Sequence, residues 1–213
     1  MKLICFPDFV GHPICFSALG RALKGRVSLV QVNYSDYWPY SSVGALARNI
    51  AQEHDLNTVD AVLGYSFGAY VAACCVAQRG PASAPQPVLL VDPPRLSELR
   101  GLAPAAIAQR LEADPQYAYI DDLVDAQLVS RDCVHGNILL LSEWQAVSLK
   151  GRAVDVLLSA GRSAEALVQG LGLDPAQDNR YWRDERSHHA SVINSPDVAT
   201  WLLDRSALPR IAW

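Results

Sequence analysis

Ala61-Val62-Leu63-Gly64-Tyr65-Ser66-Phe67-Gly68-Ala69 is the stretch whose reading decides the fold. The apolar residues Ala61 to Tyr65 read as a strand, and the small-residue run from Gly68 to Ala77 reads as a helix. Between them lies a Gly-x-Ser-x-Gly motif, Gly64 to Gly68, in the strand–turn–helix context that the motif requires. A serine on so sharp a turn sits in a strained conformation that lifts its hydroxyl above the edge of a sheet. The residues two before and two after must be small, because the turn brings strand and helix backbones together. Gly64 and Gly68 meet that demand and Ala69 continues it. The helix N-terminus adds partial positive charge where an oxyanion develops. Ser66 is therefore the candidate nucleophile.

Working outward, strand-like and helix-like segments alternate. Leu3 to Phe6 is a short apolar run ended by Pro7, and Val27 to Val32 is rich in β-branched residues. Ile14 to Leu23 has apolar residues at helical spacing, and Ser41 to Glu53 is helical with Ser41 or Ser42 as N-cap. Val88 to Val91 is a fourth strand and Ala153 to Leu158 a fifth. Strands alternating with helices imply right-handed crossovers and a mostly parallel central sheet with helices on both faces. From Pro93-Pro94 onward no strand is expected until Ala153. The helix candidates there are Pro104 to Leu111, Ile120 to Val129 and Asn137 to Trp144. Residues 95–148 thus read as a helical lid inserted into an α/β sheet. Ser163 to Gln169 and Pro196 to Leu203 complete the expected helices. The fold class is α/β, of the α/β-hydrolase type. The chain starts on the strand before the first loop, so the extra leading strands of that fold are expected to be missing.

The composition supports one domain over 1–213. With 50% hydrophobic and 19% charged residues there is ample side chain to bury, which excludes general disorder. The 13 Gly and 13 Pro are average usage, so collagen-like and low-complexity readings fail. A net charge of -4 and a pI near 5.7 leave no electrostatic footprint for nucleic acid. The five cysteines, at 5, 15, 74, 75 and 133, are odd in number and form no C-x-x-C pair, which argues against a disulfide framework or a zinc knuckle. The apolar start stops at Pro7, short of the roughly 7–15 apolar residues of a signal-peptide core. No run reaches the roughly 18 apolar residues of a membrane span. The expectation is a soluble protein of a reducing compartment, the cytoplasm, with no membrane partner and no metal.

A serine needs a base, and the base an orienting acid, in chain order Ser, acid, His. Of the histidines at 12, 54, 135, 188 and 189, only the last three follow Ser66. His135 falls in the lid, whereas His188 and His189 fall before the final helix, where the order places the base. Asp92 ends the apolar strand Val88–Val91, at the carboxyl edge where open α/β sheets carry their sites. Asp174 and Asp178 compete with it but lie well past the end of their strand. The oxyanion donors are expected to be the backbone N–H groups of Phe67 and of Phe9, the latter in the loop Phe6 to Pro13. His12 in that loop either lines the pocket or faces solvent, and His54 reads as an exposed helix residue.

Together these pieces resemble the thioesterase domains of non-ribosomal peptide and polyketide synthases, from Leu3 to Leu203. The resemblance rests on Phe6-Pro7 with Gly11, on Phe16-x-x-Leu19-x-x-x-Leu23, on Gly64 to Ala69, on Leu90-Val91-Asp92-Pro93-Pro94 and on His189-Ala190-Ser191-Val192-Ile193. The first loop departs from the family in lacking paired glycines. The register of the last segment makes His189 the base. The resemblance implies an enzyme, a serine thioesterase. It would release an acyl or peptidyl chain from the phosphopantetheine thioester of a carrier protein by hydrolysis or cyclisation, through an acyl-Ser66 intermediate. It would need no cofactor of its own. Product-releasing domains tend to carry the acid where Asp92 stands. Editing thioesterases tend to carry it one strand later, near Ser159 to Arg162, where no acid occurs until Glu165. A general carboxylesterase or lipase of the same fold is the alternative, and a non-catalytic hydrolase-like binding module a third. Tyr117, Tyr119 and Trp144 of the lid either line an acyl channel or form its core.

Overall fold

The computed structural model describes residues 1–79, 86–94, 101–143, 145–149, 151–164, 171, 173, 179–208 and 210. Trp144, Glu165, Asp174, Asp178, residues 95–100 of the expected lid and most of the helix expected over 163–169 lie outside the described residues. Six strands form one sheet: β1 (Lys2–Phe6), β2 (Ser28–Gln31), β3 (Ala61–Tyr65), β4 (Val88–Val91), β5 (Val154–Ser159) and β6 (Arg180–Asp184). Their order is β2-β1-β3-β4-β5-β6, and every neighbouring pair is parallel. The described helices are α1 (Ser17–Ala22), α2 (Val43–Glu53), α3 (Phe67–Gln78), α4 (Pro104–Glu112), α5 (Tyr119–Asp125), α6 (Arg131–Ser142) and α7 (Pro196–Leu203).

The central strands are apolar on both faces because helices cover both. Successive side chains alternate between two cores, as the pleat demands. Ile4, Phe6, Val62, Val88, Leu90, Val154 and Val156 face the core shared with α2, α3 and the helices between β4 and β5. Leu3, Cys5, Leu63, Tyr65, Leu89 and Val91 face the other core, with Leu19 of α1 and Val198 and Trp201 of α7. Each such side chain contributes roughly 1.5–3 kcal/mol by leaving water. Helix starts follow local chemistry: Ser42 accepts from Ala45 N–H, and Ser195 from Asp197 N–H just ahead of Pro196. The chain runs from β1 out to β2 and then back across β1 to β3. The loops after β1 and β3 therefore diverge at the carboxyl edge and open a crevice there.

Three elements differ from the sequence reading. β6 was not expected, because Arg-Tyr-Trp-Arg-Asp carries a charge at three of its five positions. It forms because it is an edge strand. Tyr181 and Trp182 bury on opposite faces, while Arg180 makes two 2.7 Å hydrogen bonds to the buried Asp155 of β5. α6 begins at Arg131, well before Asn137, because Ser130 caps it by accepting from Cys133 N–H. The segment Ile14 to Leu23 divides into a 3-10 turn, Pro13–Phe16, and the short α1. The five cysteines are free thiols. Among the described residues no helix is long and apolar enough to cross a membrane.

Candidate active site

Ser66 stands between β3 and α3 with φ 51° and ψ −123°, the strained turn the motif requires. The two glycines explain how that turn packs. A Cβ on Gly64 would lie 2.5 Å from the backbone of Ala69, and one on Gly68 would fall on the carbonyl oxygens of Phe6 and Pro7. Gly64 thus lets strand and helix approach each other. Gly68 lets the helix approach the end of β1, a neighbour that the motif alone does not reveal.

Asp92 follows β4, itself in the left-handed region at φ 44°, and His189 follows β6. Their side chains meet Ser66 in one line. His189 Nδ1 lies 2.6 Å from Asp92 Oδ2, and His189 Nε2 lies 2.9 Å from Ser66 Oγ. A carboxylate only accepts, so Nδ1 carries the proton, Nε2 is left as acceptor, and the Ser66 hydroxyl donates to it. Asp92 is fully buried and Ser66 nearly so. Burial alone pushes the Asp92 carboxyl up. The hydrogen bond and charge of His189, the Arg162 guanidinium and the Ser159 N–H outweigh it and hold the carboxyl below the usual carboxylate range. Asp92 is therefore ionised at neutral pH.

The end of β5 and the residues that follow, Ser159 to Arg162, where no acid stands, serve Asp92 instead. Ser159 N–H and Oγ–H donate to its two oxygens at 2.9 and 2.8 Å, and Arg162 Nε donates at 3.2 Å. Arg162 also donates to the Pro93 carbonyl. Arg162→Gln is expected to lower kcat on a thioester roughly tenfold with KM little changed, because it loosens a group that positions the histidine. Equal kcat in variant and parent would contradict this. The sign for stability follows from the depressed carboxyl. Its contribution is present above the unfolded carboxylate range and lost as pH falls through the lower folded value. Arg162→Gln raises the folded value, so acid unfolding should begin at a higher pH.

The loop after β1 is pinned from several sides. Tyr34 OH donates to Pro7 O at 3.0 Å, Asn137 Nδ2 of α6 donates to Phe9 O at 2.9 Å, and Tyr34 N–H donates to Gly11 O at 2.9 Å. Gly11 takes φ +81°, which glycine adopts without strain. Among the described residues, no intramolecular acceptor takes the N–H of Phe9 or of Phe67. Tyr65, the variable residue before the serine, donates its hydroxyl to His189 O at 2.8 Å and so holds the histidine loop. A cavity of about 350 Å³ lies under the helices between β4 and β5, lined by Phe9, Tyr117, Ile120, Val134, His135 and Ile138. Tyr117 packs edge-on against Phe9 at 5.0 Å and so belongs to the cavity wall.

The other histidines stand apart from the Ser66–His189–Asp92 line. His12 Nδ1 accepts from Ile14 N–H and caps the 3-10 turn. His54 ends α2, half-buried with Nε2 3.2 Å from the Tyr37 hydroxyl, rather than exposed. His188 is exposed. Sequence reasoning missed Ser159 and Arg162 as partners of Asp92, and it missed Asp8. Asp8 lies in the expected oxyanion loop and is only 5% exposed. Its Oδ1 accepts from Val10 N–H at 3.0 Å, while among the described residues its Oδ2 has only a long 3.5 Å contact from Tyr119 OH. A signal existed in Pro7-Asp8-Phe9, where an acid stands between two apolar residues in a loop expected to serve a developing anion.

Burial pushes the Asp8 carboxyl up to about 6, against the Val10 N–H, the His189 charge and the Tyr119 hydroxyl. A raised value means that the native state holds the proton more tightly than the unfolded chain. That contribution is fully present below the ordinary carboxylate range and lost as pH rises through about 6. Asp8→Asn escapes the loss, so the variant should be more stable than the parent at pH 7.5, by at most about 3 kcal/mol, and not at pH 4, a difference that the melting temperatures report. Equal melting-temperature differences at both pH values would refute this.

A model of the thioesterase-domain family matches residues 1–133. No curated protein matches the sequence at a significant level. Among solved structures, a NocB thioesterase domain in covalent complex with a fluorophosphonate nocardicin G analogue is 17% identical. It covers 95% of this chain, 92% of that one is covered, and the TM-score is 0.69. The RedJ thioesterase of the prodiginine biosynthetic pathway of Streptomyces coelicolor is 19% identical over 94% of this chain and 84% of its own, with TM-score 0.66. A Bacillus megaterium epoxide hydrolase is 10% identical over 95% and 91%, with TM-score 0.61. At these identities the likeness shows the α/β-hydrolase fold alone, a fold that carries more than one chemistry.

Proposed function

This chain belongs to the thioesterase-domain family, and from that premise we propose that it releases an acyl or peptidyl chain from the phosphopantetheine thioester of a carrier protein, with Ser66 as nucleophile, His189 as base and Asp92 as orienting acid. The observation that carries the reading is the hydrogen-bonded line Ser66–His189–Asp92, at 2.9 and 2.6 Å, in a member of that family. Ser66 Oγ attacks the thioester carbonyl as its proton passes to His189 Nε2. The imidazolium is held by the ionised Asp92. The tetrahedral oxyanion is received by the N–H groups of Phe9 and Phe67. Collapse breaks the C–S bond, and His189 returns the proton to the departing thiolate. The acyl-Ser66 ester is then attacked by water, or by a nucleophile of the chain itself, which His189 deprotonates; the same histidine reprotonates Ser66. A thioester is more activated than an amide, so the oxyanion donors have less to supply than in a protease.

The reading includes product release in natural-product biosynthesis, by analogy with the pathways of the NocB and RedJ thioesterases, and a cytoplasmic site, which suits five free thiols. It includes no cofactor or metal of the enzyme's own. The test is labelling of Ser66 by a fluorophosphonate, followed by turnover of carrier-loaded thioesters with product mass read directly. Labelling with carrier-thioester turnover supports the proposal. Faster cleavage of p-nitrophenyl esters than of any thioester would identify a general carboxylesterase, and folded protein that resists the probe would identify a binding module.

A further inference from the structure

Asp8 is a buried carboxylate with one oxygen poorly satisfied. Among the described residues no lysine or arginine pairs with it. The titratable groups that feel its charge are His189, which belongs to Asp92, the hydroxyls of Tyr34, Tyr65, Tyr117 and Tyr119, and the Cys15 thiol. One oxygen is engaged by the loop's own Val10 N–H, and among the described residues the other has only the 3.5 Å contact of Tyr119. The side chain is 95% buried by its 5% exposure, so water does not satisfy that oxygen freely. Its place in the chain sharpens the problem. Phe9, the expected oxyanion donor, is the next residue. A negative charge beside a developing oxyanion raises the barrier unless a proton or a cation neutralises it.

We propose that Asp8, with the Tyr119 hydroxyl beside it, is a subsite for a protonated amine on the acyl part of the substrate, so that the enzyme acts on aminoacyl thioesters. A desolvated carboxylate is a group that binds an ammonium in place of water. The bound ammonium neutralises Asp8 as the oxyanion forms, and a neutral acyl group does not. The inference rests on the thioesterase reading of the same site.

The test uses two pairs of N-acetylcysteamine thioesters, in each of which a methyl replaces the ammonium. Alanyl is set against 2-methylpropanoyl and β-alanyl against butanoyl. In the parent enzyme the ammonium member of at least one pair should have the higher kcat/KM. Asp8→Asn should lower that member roughly tenfold or more and raise the methyl member several-fold. Such opposed changes are not produced by a structural role, which slows both members alike. Asp8→Glu should keep part of the preference. A second measurement needs no variant. In the ratio for the β-alanyl pair, titrations shared by both members cancel, and the ratio should rise with pH as Asp8 ionises through about 6. A flat ratio, or the same preference in parent and Asp8→Asn, overturns the ammonium subsite and leaves the thioesterase reading standing. If the parent turns over no thioester of either pair and none on a carrier, both fail.

Discussion

Ser66→Ala is expected to lower kcat/KM on an acyl thioester by roughly ten-thousand- to a million-fold, towards the lower end because the thioester itself is activated. In the proposed mechanism the hydroxyl forms the acyl ester, and nothing else in the described site is placed to take that role. His189 Nε2 reaches Ser66 Oγ at 2.9 Å and has no other nucleophile to activate except water. The variant should fold. Ser66 makes its backbone hydrogen bond to Val91 O through its N–H, and alanine retains that group. The φ of 51° strains alanine no more than serine. The check is kcat/KM together with the melting curve and fluorophosphonate labelling. Residual activity within tenfold of the parent, in folded protein, would move the chemistry away from Ser66.

Asp92→Asn should cost roughly a thousand- to ten-thousand-fold in kcat, and some stability as well. Four donors converge on the carboxylate: Ser159 N–H, Ser159 Oγ–H, Arg162 Nε–H and His189 Nδ1–H. An amide offers one acceptor oxygen and one NH2. If the NH2 faces His189, the ring is driven to the tautomer with its proton on Nε2, and it can no longer accept from Ser66. If the NH2 faces the Ser159 N–H and Arg162 instead, donors oppose donors in a fully buried site, at about 1–3 kcal/mol for each group left unsatisfied. The measurement is kcat in parallel with thermal unfolding. A fall in melting temperature with kcat within tenfold of the parent would make Asp92 structural only.

Much of the fold was legible, and the reason is range. The strands β1, β3 and β4, the cap at Ser42 and the elbow at Ser66 are decided by residues within a few positions of one another. Local rules suffice there. The same rules failed at β6 because its burial depends on Asp155, Trp201 and the second core, none of which is near in sequence. They failed at the start of α6 because Asp132, His135 and Gly136 mask the periodicity that Ser130 initiates. In the site, Ser66, Asp92 and His189 could be picked out by residue type and chain order. The duties of Tyr65, Ser159, Arg162 and Asn137 could not, since each acts through a contact with a residue more than 60 positions away.

The sequence alone thus determined an α/β sheet built around a serine elbow, because the elbow's glycines, the alternating strands and helices and the order Ser, Asp, His are all short-range or ordinal features. The tertiary structure decided which side chains meet. It brought His189 rather than His188 onto Ser66 across 123 positions and onto Asp92 across 97. It gave the end of β5 and the residues just after it the work of holding Asp92. It also buried Asp8 with no lysine or arginine paired to it among the described residues. Burial and charge pairing depend on what the sheet order stacks together, and no local pattern encodes that order.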